Sequence, residues 1–119
     1  MKKLINLLSI LLVLSALAAC EYAKIVPDVP SPNIPVSFTT DIQPIFNKGC
    51  TCHIPGGPLP NLTAGNSYAS LTTNNFVVAG NAASSILYQE VSTGGMSGYC
   101  DATSAGLIKN WINQGAKNN

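Results

Sequence analysis

Between Ile54 and Asn66 the chain reads IPGGPLPNLTAGN, a run that holds three prolines and three glycines. Proline removes a backbone donor and glycine weakens helix and strand alike, so this stretch is loop. It divides the chain and leaves only short pieces of regular structure on either side. Upstream, Thr40 and Gln43 fit a capping box and Asp41 favours a helix N-terminus. Ile42, Ile45 and Phe46 share one helical face, Pro44 is tolerable in a first turn, and Gly49 fits a stop. A short helix is expected over about 40–48. Downstream, SYASL (67–71) suits one helical turn, and NNFVVAG (74–80) is an apolar run of either type. A helix over 81–91 could start at Asn81 or Ser84 with Ile86, Leu87 and Val91 inward. Residues 92–100, STGGMSGYC, read as loop. The clearest element is the last. Asp101 is a good N-cap, Leu107, Ile108, Trp111 and Ile112 form one stripe, and Gly115 suits the position just past the end. No stretch shows sustained β alternation and no repeat is visible. The expectation is an all-α domain of three to four short helices with long loops. So little regular structure implies that something besides side chains helps to fill the core.

The first nineteen residues are not part of that fold. Met1-Lys2-Lys3 is a basic start, and residues 4–17 are apolar apart from Asn6, Ser9 and Ser15. This is the pattern of a signal peptide, too short for a comfortable membrane span. Leu17-Ala18-Ala19-Cys20 resembles a bacterial lipobox, which implies cleavage before Cys20 and lipid on its thiol. An ordinary signal peptide followed by a stray cysteine is the alternative. Residues 20–36 carry Pro27, Pro30, Pro32 and Pro35 and read as an extended tether. Residues 37–119 form the domain. The expected location is the cell envelope, lipid-anchored to a bacterial membrane and facing the periplasm or the surface. Without Lys2 and Lys3, four lysines face five acidic residues, and there is no arginine. Nucleic-acid binding has no electrostatic support. Export implies an oxidising compartment. With Cys20 lipidated, Cys50, Cys52 and Cys100 remain, and an odd count cannot close into disulfides alone.

The chemistry concentrates in NKGCTCHIPGG (47–57). His53, the only histidine, directly follows Cys52 and Cys50. Covalent haem attachment uses C-x-x-C-H, and here the motif is one residue short. In such a site the thiols form thioethers to porphyrin vinyls and the imidazole ligates iron. A distant methionine often supplies the sixth ligand. Met96, the one methionine beyond the leader, lies far downstream between Gly94-Gly95 and Ser97-Gly98. A lone methionine is more often core filling, but this glycine-flanked loop is a poor core position. A lone histidine is more often merely surface, and the adjacent cysteines reverse that.

FTTDIQPIFNKGCTCH resembles the start of small bacterial c-type cytochrome domains, which commonly read D-I-x-P-I-F-x-x-x-C-x-x-C-H. YASL, VVAGNAASSILYQEV and GLIKNWINQGAKNN resemble the later segments of the same family, so the likeness runs from about Phe38 to Asn119. It implies a cytochrome c fold around one haem c, with His53 the proximal and Met96 the distal ligand. It also implies one-electron transfer between redox protein partners of the envelope, a carrier and not an enzyme. Phe46, Tyr68, Leu71, Ile108 and Trp111 would shield the macrocycle. Two departures stand out. The family's Met-Pro is Met96-Ser97 here, which loosens the distal loop. One residue is missing between the cysteines. In a helix, residues three apart lie about 60° apart around the axis and residues two apart about 160°. Unless the turn opens locally, only one thiol should therefore reach its vinyl. Cys52 keeps the spacing to His53, which leaves Cys50 and Cys100 free for a possible disulfide.

Two other readings use the same residues. Cys50, Cys52, His53 and Cys100 form a donor set that suits structural zinc, although paired zinc thiolates are normally spaced more widely. A disulfide-stapled lipoprotein with a binding role and no redox centre is the other. Enzyme chemistry has little support, since neither a carboxylate pair nor a nucleophile-elbow motif is present. Asn61-Leu62-Thr63 matches a glycosylation sequon by chance.

Overall fold

Ser37 opens the first helical segment of the computed structural model, which describes residues 31–119. The expected signal peptide, Cys20 and most of the tether lie outside the described residues. The Ser37 hydroxyl accepts from Thr40 N–H at 3.3 Å, and Asp41 Oδ2 accepts from Ser37 N–H at 2.7 Å. This reciprocal cap lies three residues upstream of the expected Thr40–Gln43 box. A single π-helical turn, Phe38–Ile42, leads directly into α1, Gln43–Gly49. Pro44 sits in the first turn of α1. Its ring crowds the carbonyl four residues back, and the wider turn immediately upstream accommodates it. Gln43 makes no capping contact to Thr40. Its amide donates to Asn47 Oδ1 at 2.9 Å and to the Leu62 carbonyl at 3.1 Å, and its Oε1 accepts from the Ser67 hydroxyl. A buried polar group must be paired, and this glutamine meets that demand by tying α1 to the loop and to the next helix.

That helix, α2, spans Ser67–Thr73, longer than the single turn expected. The 74–80 run is neither helix nor strand. The third helix, α3, covers Ile86–Ser92 and so begins later than Asn81 or Ser84. Ser85 precedes it with a fully buried hydroxyl that accepts from Val78 N–H at 2.9 Å and donates to the Asn81 carbonyl at 2.8 Å. Leu87 and Val91 point inward as expected, but Ile86 is 44% exposed. After a 3-10 turn, Ser97–Tyr99, comes α4, Ala102–Asn113. Both of its expected ends are present. Asp101 accepts from Ser104 N–H at 2.8 Å. Gly115, at φ 100°, lets Ala116 N–H reach the Trp111 carbonyl at 2.9 Å and its own N–H reach Ile112 at 3.0 Å. Those two bonds make a Schellman motif.

The described residues are thus all-helical, with no strand among them. Ile42, Phe46, Leu71, Ile108, Trp111 and Ile112 are buried together. The Phe38 ring lies 5.2 Å from Trp111 and 5.3 Å from Tyr68, the latter edge-on, near the favoured aromatic geometry. The C-terminus closes over this cluster. Trp111 Nε1 donates to the Lys117 carbonyl at 2.9 Å, and Tyr68 donates its hydroxyl to Ala116 at 3.0 Å. Phe38 N–H donates to Asn119 Oδ1 at 2.9 Å, and Val36 N–H to Gln114 Oε1 at 2.9 Å. The chain therefore builds an aliphatic and aromatic core from its own side chains, with α1, α2, α4 and the Leu87 and Val91 face of α3 contributing.

Candidate functional site

The C-x-C-H segment begins where α1 stops. Cys50 N–H donates to the Phe46 carbonyl at 2.9 Å as the helix cap, and His53 N–H turns back to the Cys50 carbonyl at 3.0 Å. The two cysteines thus occupy a turn beyond the helix. The helical spacing that would set their thiols on opposite sides does not apply, and Cys50 and Cys52 line the same cavity. Gly49 is not a conformational stop. A Cβ there would lie 2.5 Å from the Tyr99 carbonyl oxygen, so glycine permits the close approach of the segment before α4.

His53 is oriented by the loop that follows it. Nδ1 lies 3.1 Å from the Pro60 carbonyl oxygen and 3.2 Å from that of Pro58. Carbonyls only accept, so Nδ1 is the donor here, and Nε2 is the ring nitrogen these contacts leave open. Leu62 N–H donates to the His53 carbonyl at 2.8 Å and folds the loop against the histidine. The proline-rich run, irregular in pattern, supplies two carbonyls that fix a tautomer.

Met96 is held from α3. Its N–H donates to the Glu90 carbonyl at 3.1 Å, and Glu90 Oε2 accepts from Gly95 N–H at 2.9 Å. A Cβ on Gly94 would fall 2.7 Å from Glu90 Cα, so this turn closes only with glycine there. Ser97 donates its hydroxyl to the Gly94 carbonyl at 2.8 Å. Glu90 and Gly94 stiffen the loop that carries Met96.

Two contiguous cavities lie between these segments. One, of about 300 Å³, is walled by Leu59, Leu62, Phe76, Ile86, Leu87 and Val91, and Cys50, His53 and Met96 also face it. The other, of about 250 Å³, is lined by Cys50, Cys52, His53, Met96 and Cys100 among others. All five residues singled out in the domain therefore share one cleft. The residues named from position as a shield lie in or against the buried core. Phe46, Leu71, Ile108 and Trp111 are spent in the protein's own core, with Tyr68 packed against it. Of the five, Phe46 alone lines a cavity that His53 also lines. Ile86 and Met96, 44% and 37% exposed, belong instead to the cleft wall.

Cys50, Cys52 and Cys100 are free thiols, Cys52 exposed and the other two half-buried. Burial raises the Cys50 pKa. Cys100 is pushed up to about 11, first by burial and then by the nearby Asp101 carboxylate and Cys50. No three histidine, cysteine or acidic side chains among the described residues are gathered closely enough to hold a metal ion, so the arrangement does not favour the zinc reading.

Comparison with protein-family models, with curated proteins and with solved structures returned no match. The site rests on its own geometry. Sequence reading missed Glu90 and the Pro58 and Pro60 carbonyls as organising groups, and it gave Gln43 a capping role in place of its bonds to Leu62 and Ser67. Among the described residues, no helix is long and apolar enough to cross a membrane.

Proposed function

We propose that this chain is a mono-haem c-type cytochrome, a lipid-anchored one-electron carrier of the bacterial cell envelope. The observation that carries the reading is the convergence of Cys50, Cys52, His53 and Met96 on one apolar cleft. His53 Nδ1 is engaged by backbone, which leaves Nε2 open to a ligand. The residues present fit a haem. An imidazole with its second nitrogen tied to backbone, a thioether sulfur and thiols beside the histidine are the donor set of such a site. The open walls are aliphatic and aromatic. The resemblance of residues 38–119 to small c-type cytochrome domains points the same way.

When bound, the haem supplies reversible one-electron chemistry between ferrous and ferric iron. This chain's own residues bind and orient. Cys52, exposed and next to His53, offers a thiol for attachment. His53 offers Nε2, and Pro58 and Pro60 hold that ring in one tautomer. Glu90 sets the Met96 loop. Leu59, Phe76, Ile86 and Val91 give the cleft its apolar walls. Cys20 anchors the tether to a membrane, and redox proteins of the envelope are the partners. No substrate is consumed, so the role is that of a carrier rather than an enzyme.

The test is export of the full chain in a host competent in cytochrome assembly. The purified protein should carry one covalently bound haem by intact mass and by peroxidase staining of a denaturing gel. A mass equal to polypeptide plus lipid alone overturns the reading. His53→Ala should abolish the reduced α-band of the native protein.

A further inference from the structure

The proposed function gives Cys100 no role, and a single thioether through Cys52 would leave Cys50 spare. Both are half-buried and both line the same cavity. The residues immediately before them are packed against each other, because Gly49 admits the Tyr99 carbonyl where any Cβ would collide with it. The C-terminal end of α1 and the segment leading into α4 therefore run side by side at the two cysteines. Closely approaching backbones are what a bridge demands, since the Cα atoms of a disulfide usually lie about 4.4–6.8 Å apart. Cys52 differs. It lines the same cavity but is exposed, and it sits next to His53 in sequence.

We infer that Cys50 and Cys100 form a disulfide that clasps the end of α1 to the start of α4 and leaves Cys52 as the one thiol available to a porphyrin vinyl. Bond formation removes one hydrogen from each thiol. The two electrons and two protons pass to a disulfide-bearing oxidant, which leaves as two thiols. In the envelope this is a protein disulfide carrier, and in the test it is oxidised glutathione. The clasp closes one wall of the cleft covalently and cross-links a long loop, so oxidation should raise the unfolding temperature of the domain. The assignment of Cys52 rests on the haem reading, but the bridge itself does not.

The experiment is peptide mapping of the exported full chain, alkylated without reduction. Trypsin with a glutamate-specific protease cuts after Lys48, Glu90 and Lys109 and so separates Cys50 from Cys100. The expected product is the 49–90 peptide joined to the 91–109 peptide, two hydrogens lighter than the pair, and split by reductant. Fragmentation should place the bridge on Cys50 and leave Cys52 either alkylated or haem-bearing. Cys100→Ser should make Cys50 alkylatable without reduction, whereas Cys52→Ser should leave the bridge in place. The inference is overturned if Cys50 and Cys100 both remain alkylatable after equilibration with oxidised glutathione. It is equally overturned by a Cys50–Cys52 bridge or by a porphyrin on Cys50. A bridged protein without haem keeps this inference and sinks the proposed function. A haem protein with two free thiols does the reverse.

Discussion

Cys100 sits one residue before the α4 cap, and its neighbours decide its chemistry. The Asp101 carboxylate caps Ser104 and is held below the usual range, chiefly by that backbone hydrogen bond. It therefore stays negative beside a half-buried thiol whose own ionisation would add a second charge. Burial acts first and Asp101 second to push Cys100 up to about 11, from an ordinary value of 9.0. Only the thiolate reacts with alkylating agents. In the reduced, haem-free chain Cys52, exposed, should react first with iodoacetamide at pH 8. Cys100 should lag and then catch up as the pH climbs towards 11, read by mass spectrometry of timed samples. The linkage sign follows. The unfolded thiol ionises near 9 while the folded one remains protonated, so stability is intact below pH 9 and is lost as pH rises towards about 11. A Cys100 rate equal to that of Cys52 at every pH would contradict this environment. His53 illustrates the opposite device, a group set by direction rather than by charge, with two carbonyls engaging Nδ1 and leaving Nε2 open.

At the level of elements, what can be read from sequence depends on whether a contact is local. Asp101 and Gly115 bound α4 through bonds three to five residues long, and both ends were legible. Asp101→Ala should cost about 1 kcal/mol by chemical denaturation, the usual worth of such a cap. The Thr40–Gln43 box was equally plausible locally, but Gln43 is taken by Leu62 and Ser67, and Ser37 caps the segment instead. Ser85 was lost to α3 in the same way, its hydroxyl drawn to Val78 and Asn81. The candidate site shows the same division. Its members could be named from residue type and order, whereas the turn that carries Cys50 and Cys52 depends on Gly49 meeting Tyr99. The Met96 loop depends on Glu90, which no motif marks. Glu90→Ala should leave the helices intact by circular dichroism. In the ferric haem-loaded protein it should weaken or abolish the absorption band that methionine sulfur gives with iron. An unchanged band would mean that the loop holds itself. Gly49→Ala should destabilise the domain, since the Tyr99 backbone must move aside.

Among the described residues, Leu62, Leu87 and Val91 belong to the buried core and also wall the cleft, so the apolar interior has a closed side and an open one. The core around Trp111, Phe46 and Ile108 is closed by the chain itself and by its own C-terminus, which reaches back to Phe38 and Val36. On this side the centre is filled by the chain's own side chains. The cleft on the other side of the C-x-C-H turn is not closed. Ile86 and Leu59, 44% and 62% exposed, are wall positions for which the buried core has no use. Burial of such side chains stabilises by about 1.5–3 kcal/mol each only when something covers them. The two sides should therefore respond differently to substitution. Trp111→Ala removes a ring at the centre of the aromatic cluster and should cost about 3–5 kcal/mol whether or not haem is attached. Ile86→Ser changes an exposed side chain at the first turn of α3. It should alter the stability of the haem-free chain by no more than about 0.5 kcal/mol. In the loaded protein the same change strips an apolar wall from the cofactor and should lower the unfolding midpoint. Denaturation of both variants in both forms separates the cases. Equal losses for Ile86→Ser with and without haem would mean that the cleft is ordinary surface, and that whatever this domain holds, it does not hold it there.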